Sequence, residues 1–66
     1  LLRLHEGDCV AYRIQATADP RAKITVHRHG SGTLITQHDE ADPTLIWVRC
    51  TSSTVDIEAV EAAVTE

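Results

Sequence analysis

Two histidines, His27 and His29, stand two residues apart in the segment VHRHGSGTL, residues 26–34. On a β-strand, residues two apart point to the same side and lie about 7 Å apart, so their imidazoles are able to share a metal ion. Candidates for a third ligand are His5, His38 and Asp39. However, the cysteine and histidine spacings match no zinc template. A metal site at His27 and His29 is therefore the second alternative function, and no cofactor is expected.

Residue types for nucleophilic catalysis are also present, as in many chains with four histidines: Ser31, His29 and Asp39, or Cys9 or Cys50 with His27. Nothing in the sequence orients a base toward either thiol, and 66 residues leave little volume for a substrate pocket. The segment GSG lacks the lysine of a phosphate-binding P-loop and opens no helix. We therefore expect a protein that is not an enzyme.

The length of 66 residues fits one small domain, residues 1–66, of marginal stability. Because the sequence starts without Met and stops inside a helical pattern, we expect the domain to be part of a longer chain. Its 42% apolar residues include no run long enough to cross a membrane. Two cysteines are too few for a disulfide scaffold, so we expect reduced thiols and a cytoplasmic location.

The net charge of −4 is unevenly distributed along the sequence. Residues 1–37 carry five bases and three acids, a net of +2, whereas residues 38–66 carry seven acids and one base, a net of −6. This overall acidity disfavours a general DNA-binding protein but leaves room for a local basic face.

Turn-forming residues divide the chain into four predicted strands and one predicted helix. The strands are 9–17, 23–29, 33–37 and 44–50, and residues 55–66 form the helix. The helix prediction depends on Ile57, Val60 and Val64, which recur at the spacing of one helical face. Short connections favour antiparallel pairing. The predicted fold class is α+β: a four-stranded antiparallel sheet with a C-terminal helix packed on one face (ββββα).

A two-residue turn at Gly30 and Ser31 sets the predicted register of the second hairpin. It places Val26 opposite Ile35, and His27 opposite Leu34. The residues expected to form the core under the helix are Val10, Tyr12, Ile14, Ile24, Val26, Ile35, Ile46, Val48 and Cys50, with Ile57, Val60 and Val64 from the helix. The predicted binding face on the other side of the sheet comprises Arg13, His27, His29, Leu34, Leu45, Trp47 and Arg49.

An open sheet face with a tryptophan, two leucines and several cationic side chains is typical of a contact surface. The sequence therefore predicts a non-catalytic protein-interaction or oligomerisation module, with a protein partner or a second copy on this face. The first alternative is a nucleic-acid-binding platform on the same face, where Trp47 stacks on a base and Arg13 and Arg49 contact phosphates.

Overall fold

The computed structural model describes residues 1–64, which form six β-strands and no helix. The strands are β1 (Leu2–His5), β2 (Cys9–Arg13), β3 (Lys23–His29), β4 (Thr33–His38), β5 (Leu45–Ser52) and β6 (Thr54–Ala63). The predicted α+β fold is therefore wrong: these residues form an all-β fold. Strands β2 to β5 occupy the four predicted strand regions, whereas β1 was not predicted and β6 replaces the predicted helix.

The strands form two three-stranded antiparallel sheets instead of the predicted single sheet of four. Sheet A has the order β1-β6-β3 and sheet B the order β2-β5-β4. Strands that follow one another in sequence therefore occupy matching positions in the two sheets. The fold is in effect one three-stranded ribbon bent over on itself, with three corners at one end: between β1 and β2, between β3 and β4, and between β5 and β6.

Strand β6 contains a β-bulge, which explains why its sequence resembles a helix. His27 pairs with Ala59 and the next residue, Arg28, pairs with Ile57, so Glu58 is the extra residue in β6. The bulge puts Ile57 and Val60 on the same inner side although they are three residues apart. A spacing of three is also the helical spacing, so periodicity alone does not distinguish the two structures. The end of the predicted helix, residues 65 and 66, lies outside the described residues.

The core lies between the two sheets and is aliphatic apart from one thiol and one tyrosine. The buried residues of this cluster are Leu4, Ile46, Val48, Cys50, Val55 and Ile57. The partly buried residues packed against them are Val10, Tyr12, Ile14, Ile24, Val26, Leu34 and Val60. Two predicted core residues lie outside it, because Ile35 is 56% exposed and Val64 is 51% exposed.

The segment GSG forms a corner between the sheets and not the predicted hairpin turn, because β3 pairs with β6 and β4 pairs with β5. The backbone here runs against the corner between β5 and β6. A Cβ atom on Gly30, whose φ is +107°, would lie 2.7 Å from the Thr54 carbonyl oxygen, and one on Gly32 would lie 2.6 Å from the Ser52 carbonyl oxygen. Close backbone approach therefore requires both glycines.

The two cysteines are free, and their side chains point in opposite directions. Cys9 is exposed on the outer side of sheet B, whereas Cys50 is fully buried between the sheets. Since a disulfide needs Cβ atoms that face each other, the two thiols are unable to bridge without moving the backbone. Among the described residues, no helix exists that has the length and apolar character to cross a membrane.

Candidate protein-binding face

The outer surface of sheet B carries the largest group of predicted site residues. Strand alternation turns every second side chain of β2, β4 and β5 away from the core. We define the Trp47 face as the outward residues Cys9, Ala11, Arg13, Ile35, Gln37, Leu45, Trp47 and Arg49. Four of the seven predicted binding residues lie on it: Arg13, Leu45, Trp47 and Arg49.

Trp47 lies at the centre of this face, between Ala11 on β2 and Gln37 on β4. Its indole Nε1 donates a hydrogen bond to the Asp39 carboxylate at 2.9 Å. This bond is the main cause that lowers the pKa of Asp39, with further contributions from the backbone N–H groups of Asp42 and Ala41. The indole is therefore held in one orientation, with its polar edge satisfied and its ring half-buried on the face.

Next to Trp47, the side chains of Cys9, Ile35, Gln37 and Arg49 complete the lining of a concavity of about 440 Å³. Arg49 pairs across the sheet with Cys9 on one side and with Ile35 on the other. Among residues 1–64, no carboxylate lies within ion-pair distance of its guanidinium. The concavity therefore contains Arg49, which has no ion-pair partner among residues 1–64, together with the exposed Ile35 and the fixed indole ring of Trp47.

Arg13, at the edge of the Trp47 face, has its charge matched within the chain. Its Nη1 donates to the Asp42 carboxylate and to the Thr44 hydroxyl, each at 2.8 Å. The Thr44 hydroxyl donates in turn to Asp42 at 2.6 Å. The hydrogen bonds from Thr44 first, and from Arg13 second, lower the pKa of Asp42 to about 2. Arg13 therefore anchors the loop after β4.

The remaining predicted site residues do not join the Trp47 face. His27 and His29 lie on the outer side of sheet A, across the molecule, because β3 belongs to the other sheet. Their Nε2 atoms lie 3.0 Å and 2.9 Å from carboxylate oxygens of Glu61 and Glu58, respectively. Leu34 packs against the core. The predicted placement of these three residues beside Trp47 is therefore wrong.

The structure also limits the chemistry of both surfaces. Within residues 1–64, no group of three or more histidine, cysteine, aspartate or glutamate side chains is arranged to hold a metal ion. On the Trp47 face, Cys9 is the nucleophile type, but none of the outward residues of that face is a histidine or a carboxylate that would act as its base.

Sequence reasoning missed Ile35, the only large apolar side chain of the Trp47 face that is exposed. A detectable signal existed in β4, where Leu34 and Ile35 are adjacent. Successive side chains of a strand point to opposite faces, so one of the two has to be outward. The predicted hairpin register selected the wrong one, because it paired β4 with β3 and not with β5.

Comparisons with models of protein families, with curated proteins and with solved structures found no match to this chain.

Proposed function

We propose that this chain is a non-catalytic protein-interaction domain and that the Trp47 face binds a partner that presents a carboxylate beside apolar side chains. The observation that carries the proposal is the position of Arg49. Arg49, whose guanidinium has no ion pair to residues 1–64, lines a concavity together with the exposed Ile35 and the half-buried Trp47. A partner carboxylate completes an ion pair there while its apolar neighbours cover Ile35.

The residue types of this face support a contact surface. Tryptophan and arginine are the types most enriched among residues that dominate binding energy. The Asp39 hydrogen bond already fixes the Trp47 ring, which reduces the entropy lost on binding. The concavity, of about 440 Å³, has room for a protruding side chain of a protein partner.

A nucleic-acid partner receives less support from the same contacts. Asp42 neutralises Arg13, and the Asp39 carboxylate lies beside Trp47. A phosphate chain would meet one unmatched arginine and two acids on a protein of net charge −4.

The state of the thiols supports a reducing compartment, and we include a cytoplasmic location in the proposal. Cys9 is exposed and Cys50 is buried, and both are free. An exposed free thiol persists best where cellular reductants keep it from oxidising.

The test is a selection of peptides from a random library displayed on phage, with the folded domain as bait. Binding of the selected peptides is then measured on four proteins: the wild type, Arg49→Ala, Trp47→Ala and His27→Ala. The last variant is the matched control, because His27 lies on the outer side of sheet A. Circular dichroism establishes that each variant is folded.

We expect the selected peptides to share an aspartate or glutamate next to apolar residues. Their affinity should fall at least about tenfold for Arg49→Ala and for Trp47→Ala, because each substitution removes a central contact. The His27→Ala variant should bind like the wild type. Peptides without a shared carboxylate, or equal binding to all four proteins, would refute the proposal.

A further inference from the structure

The four edge strands of the two sheets differ in their protection against pairing with another strand. Natural edge strands commonly carry charged residues, which oppose the addition of a further strand. Strand β1 contains Arg3, β2 contains Arg13, and β3 contains Lys23 and Arg28. Strand β4, with the sequence TLITQH, has no aspartate, glutamate, lysine, arginine or proline, and its histidine side chain points inward. It is the least protected edge.

The backbone of β4 has groups available for a further strand. The Asp39 N–H donates to the Leu45 carbonyl oxygen at 2.8 Å. Because bonded and non-bonded pairs alternate along an antiparallel ladder, Gln37 and Ile35 also bond to β5, whereas the N–H and C=O groups of Leu34 and Thr36 point away from it. Within residues 1–64, β4 pairs only with β5, and no turn or loop backbone group bonds to those of Leu34 and Thr36.

We propose that β4 pairs with β4 of a second copy of this chain, in an antiparallel register centred on Ile35. In this register the two Ile35 residues are directly opposite, Leu34 and Thr36 form the hydrogen-bonded pairs, and Thr33 lies opposite Gln37. The two copies of sheet B become one six-stranded sheet, and the two Trp47 faces form one continuous surface. This inference goes beyond the proposed function, since it concerns the backbone edge of β4, although Ile35 itself also belongs to the Trp47 face.

A second copy of this chain is the expected partner at this edge, because β4 is complementary to itself. Ile35 is 56% exposed in the single chain, and pairing with its own copy covers both exposed side chains at once. β-Branched residues directly opposite each other are favourable cross-strand pairs. The same register places Asp39 opposite Ser31 of the second copy, so the acidic loops lie at opposite ends of the new pair.

The register is tested by disulfide cross-linking in a Cys9→Ser background, which removes the exposed native thiol. Directly opposite residues at a non-hydrogen-bonded position have Cα atoms about 4.5 Å apart, within the range of a disulfide. Ile35→Cys should therefore give a covalent dimer under mild oxidation. Gln37→Cys is the matched control on the same side of β4. Its two copies would lie about 13 Å apart, so it should remain uncross-linked.

The dimer itself is measured by light scattering on the wild type up to about 1 mM, since a small edge-to-edge contact is expected to be weak. Ile35→Lys should be a folded monomer, because it would bring two lysines face to face. A wild-type monomer at every concentration, or cross-linking of Gln37→Cys as efficient as that of Ile35→Cys, would overturn the inference. A wild-type monomer that still binds the selected peptides through Arg49 and Trp47 would leave the proposed function standing.

Discussion

The His38 imidazole connects the start of β3 to the loop after β4: its Nε2 lies 2.8 Å from the Ala22 carbonyl oxygen. Its Nδ1 lies 2.8 Å from the Pro43 carbonyl oxygen. Carbonyl oxygens only accept hydrogen bonds, so both contacts are satisfied together only when both ring nitrogens carry protons. These two bonds, aided by the charge of Asp19 and opposed by desolvation, raise the pKa of His38 above its usual 6.5.

The stability of the domain should therefore fall as the pH rises through the folded-state pKa of His38. A group with a raised pKa contributes its full stabilisation below the unfolded-state pKa and loses it above the folded-state pKa. The measurement is the urea midpoint of unfolding from about pH 5.5 to 8.5, the range in which histidine titrates. The wild type should lose stability across this range relative to His38→Gln. If the two midpoints run parallel, the proposed role of His38 is wrong.

The contacts of Asp42 with Thr44 and Arg13 should determine how steeply the stability of the domain falls in acid. The pKa of Asp42 is lowered to about 2 by Thr44 and Arg13, so its contribution is present above the unfolded-state value of 3.8 and disappears as the pH falls toward 2. Thr44→Val removes the hydroxyl, which is the largest cause. We expect this variant to be less stable than the wild type at neutral pH and to show a shallower loss of stability in acid. Equal acid slopes in urea titrations would contradict this account.

Alanine substitutions of Gly7, Gly30 and Gly32, which lie at two of the three corners, test whether the ribbon is bent as described. Gly7→Ala meets no atom within 4 Å but has φ +91°, so it should cost about 1–2 kcal/mol of backbone strain alone. Gly32→Ala has no such strain, but its Cβ would lie 2.6 Å from the Ser52 oxygen and from Val55 Cγ2, and should cost about 1–3 kcal/mol. Gly30→Ala combines both penalties.

Chemical denaturation of the three alanine variants should therefore rank Gly30→Ala as the least stable. In a simple hairpin turn, Gly32 would face solvent, and its replacement would cost little. A Gly32→Ala variant as stable as the wild type would show that the corner does not press against β5 and β6.

The sequence contains the inward and outward pattern within each strand, but not the partners of the strands. Ile46, Val48 and Cys50 were predicted to face the core and do so, because strand alternation is a local property. Strand pairing is not a local property. Strand β3 pairs with β6, which is about thirty residues away in the sequence, and not with the neighbouring β4. The predicted site residues were separated for the same reason. Trp47 and Arg49 share a strand and stayed together, whereas His27 was assigned to their face only through the predicted hairpin.

The β6 bulge is the second reason for the wrong fold class, and it yields the last prediction. A helix over residues 55–66 would bury Val64 with Ile57 and Val60 and leave Ala62 off that stripe. In the structure, Ala62 on β6 is 8% exposed and Val64, the residue after β6, is 51% exposed. Ala62→Asp would therefore place a carboxylate against the core and should destabilise the domain by about 3 kcal/mol or more.

Val64→Asp is the matched substitution two residues further along, and it should change the free energy of unfolding by no more than about 0.5 kcal/mol, because its side chain is at the surface. Urea unfolding of both variants, with far-ultraviolet circular dichroism of the wild type, separates the two structures. If β6 is a strand, the wild type should show a β-sheet spectrum, and Ala62→Asp should lose more stability than Val64→Asp. A larger loss of stability for Val64→Asp than for Ala62→Asp would instead support the helix, because residue 64 is buried only if it belongs to a helical stripe.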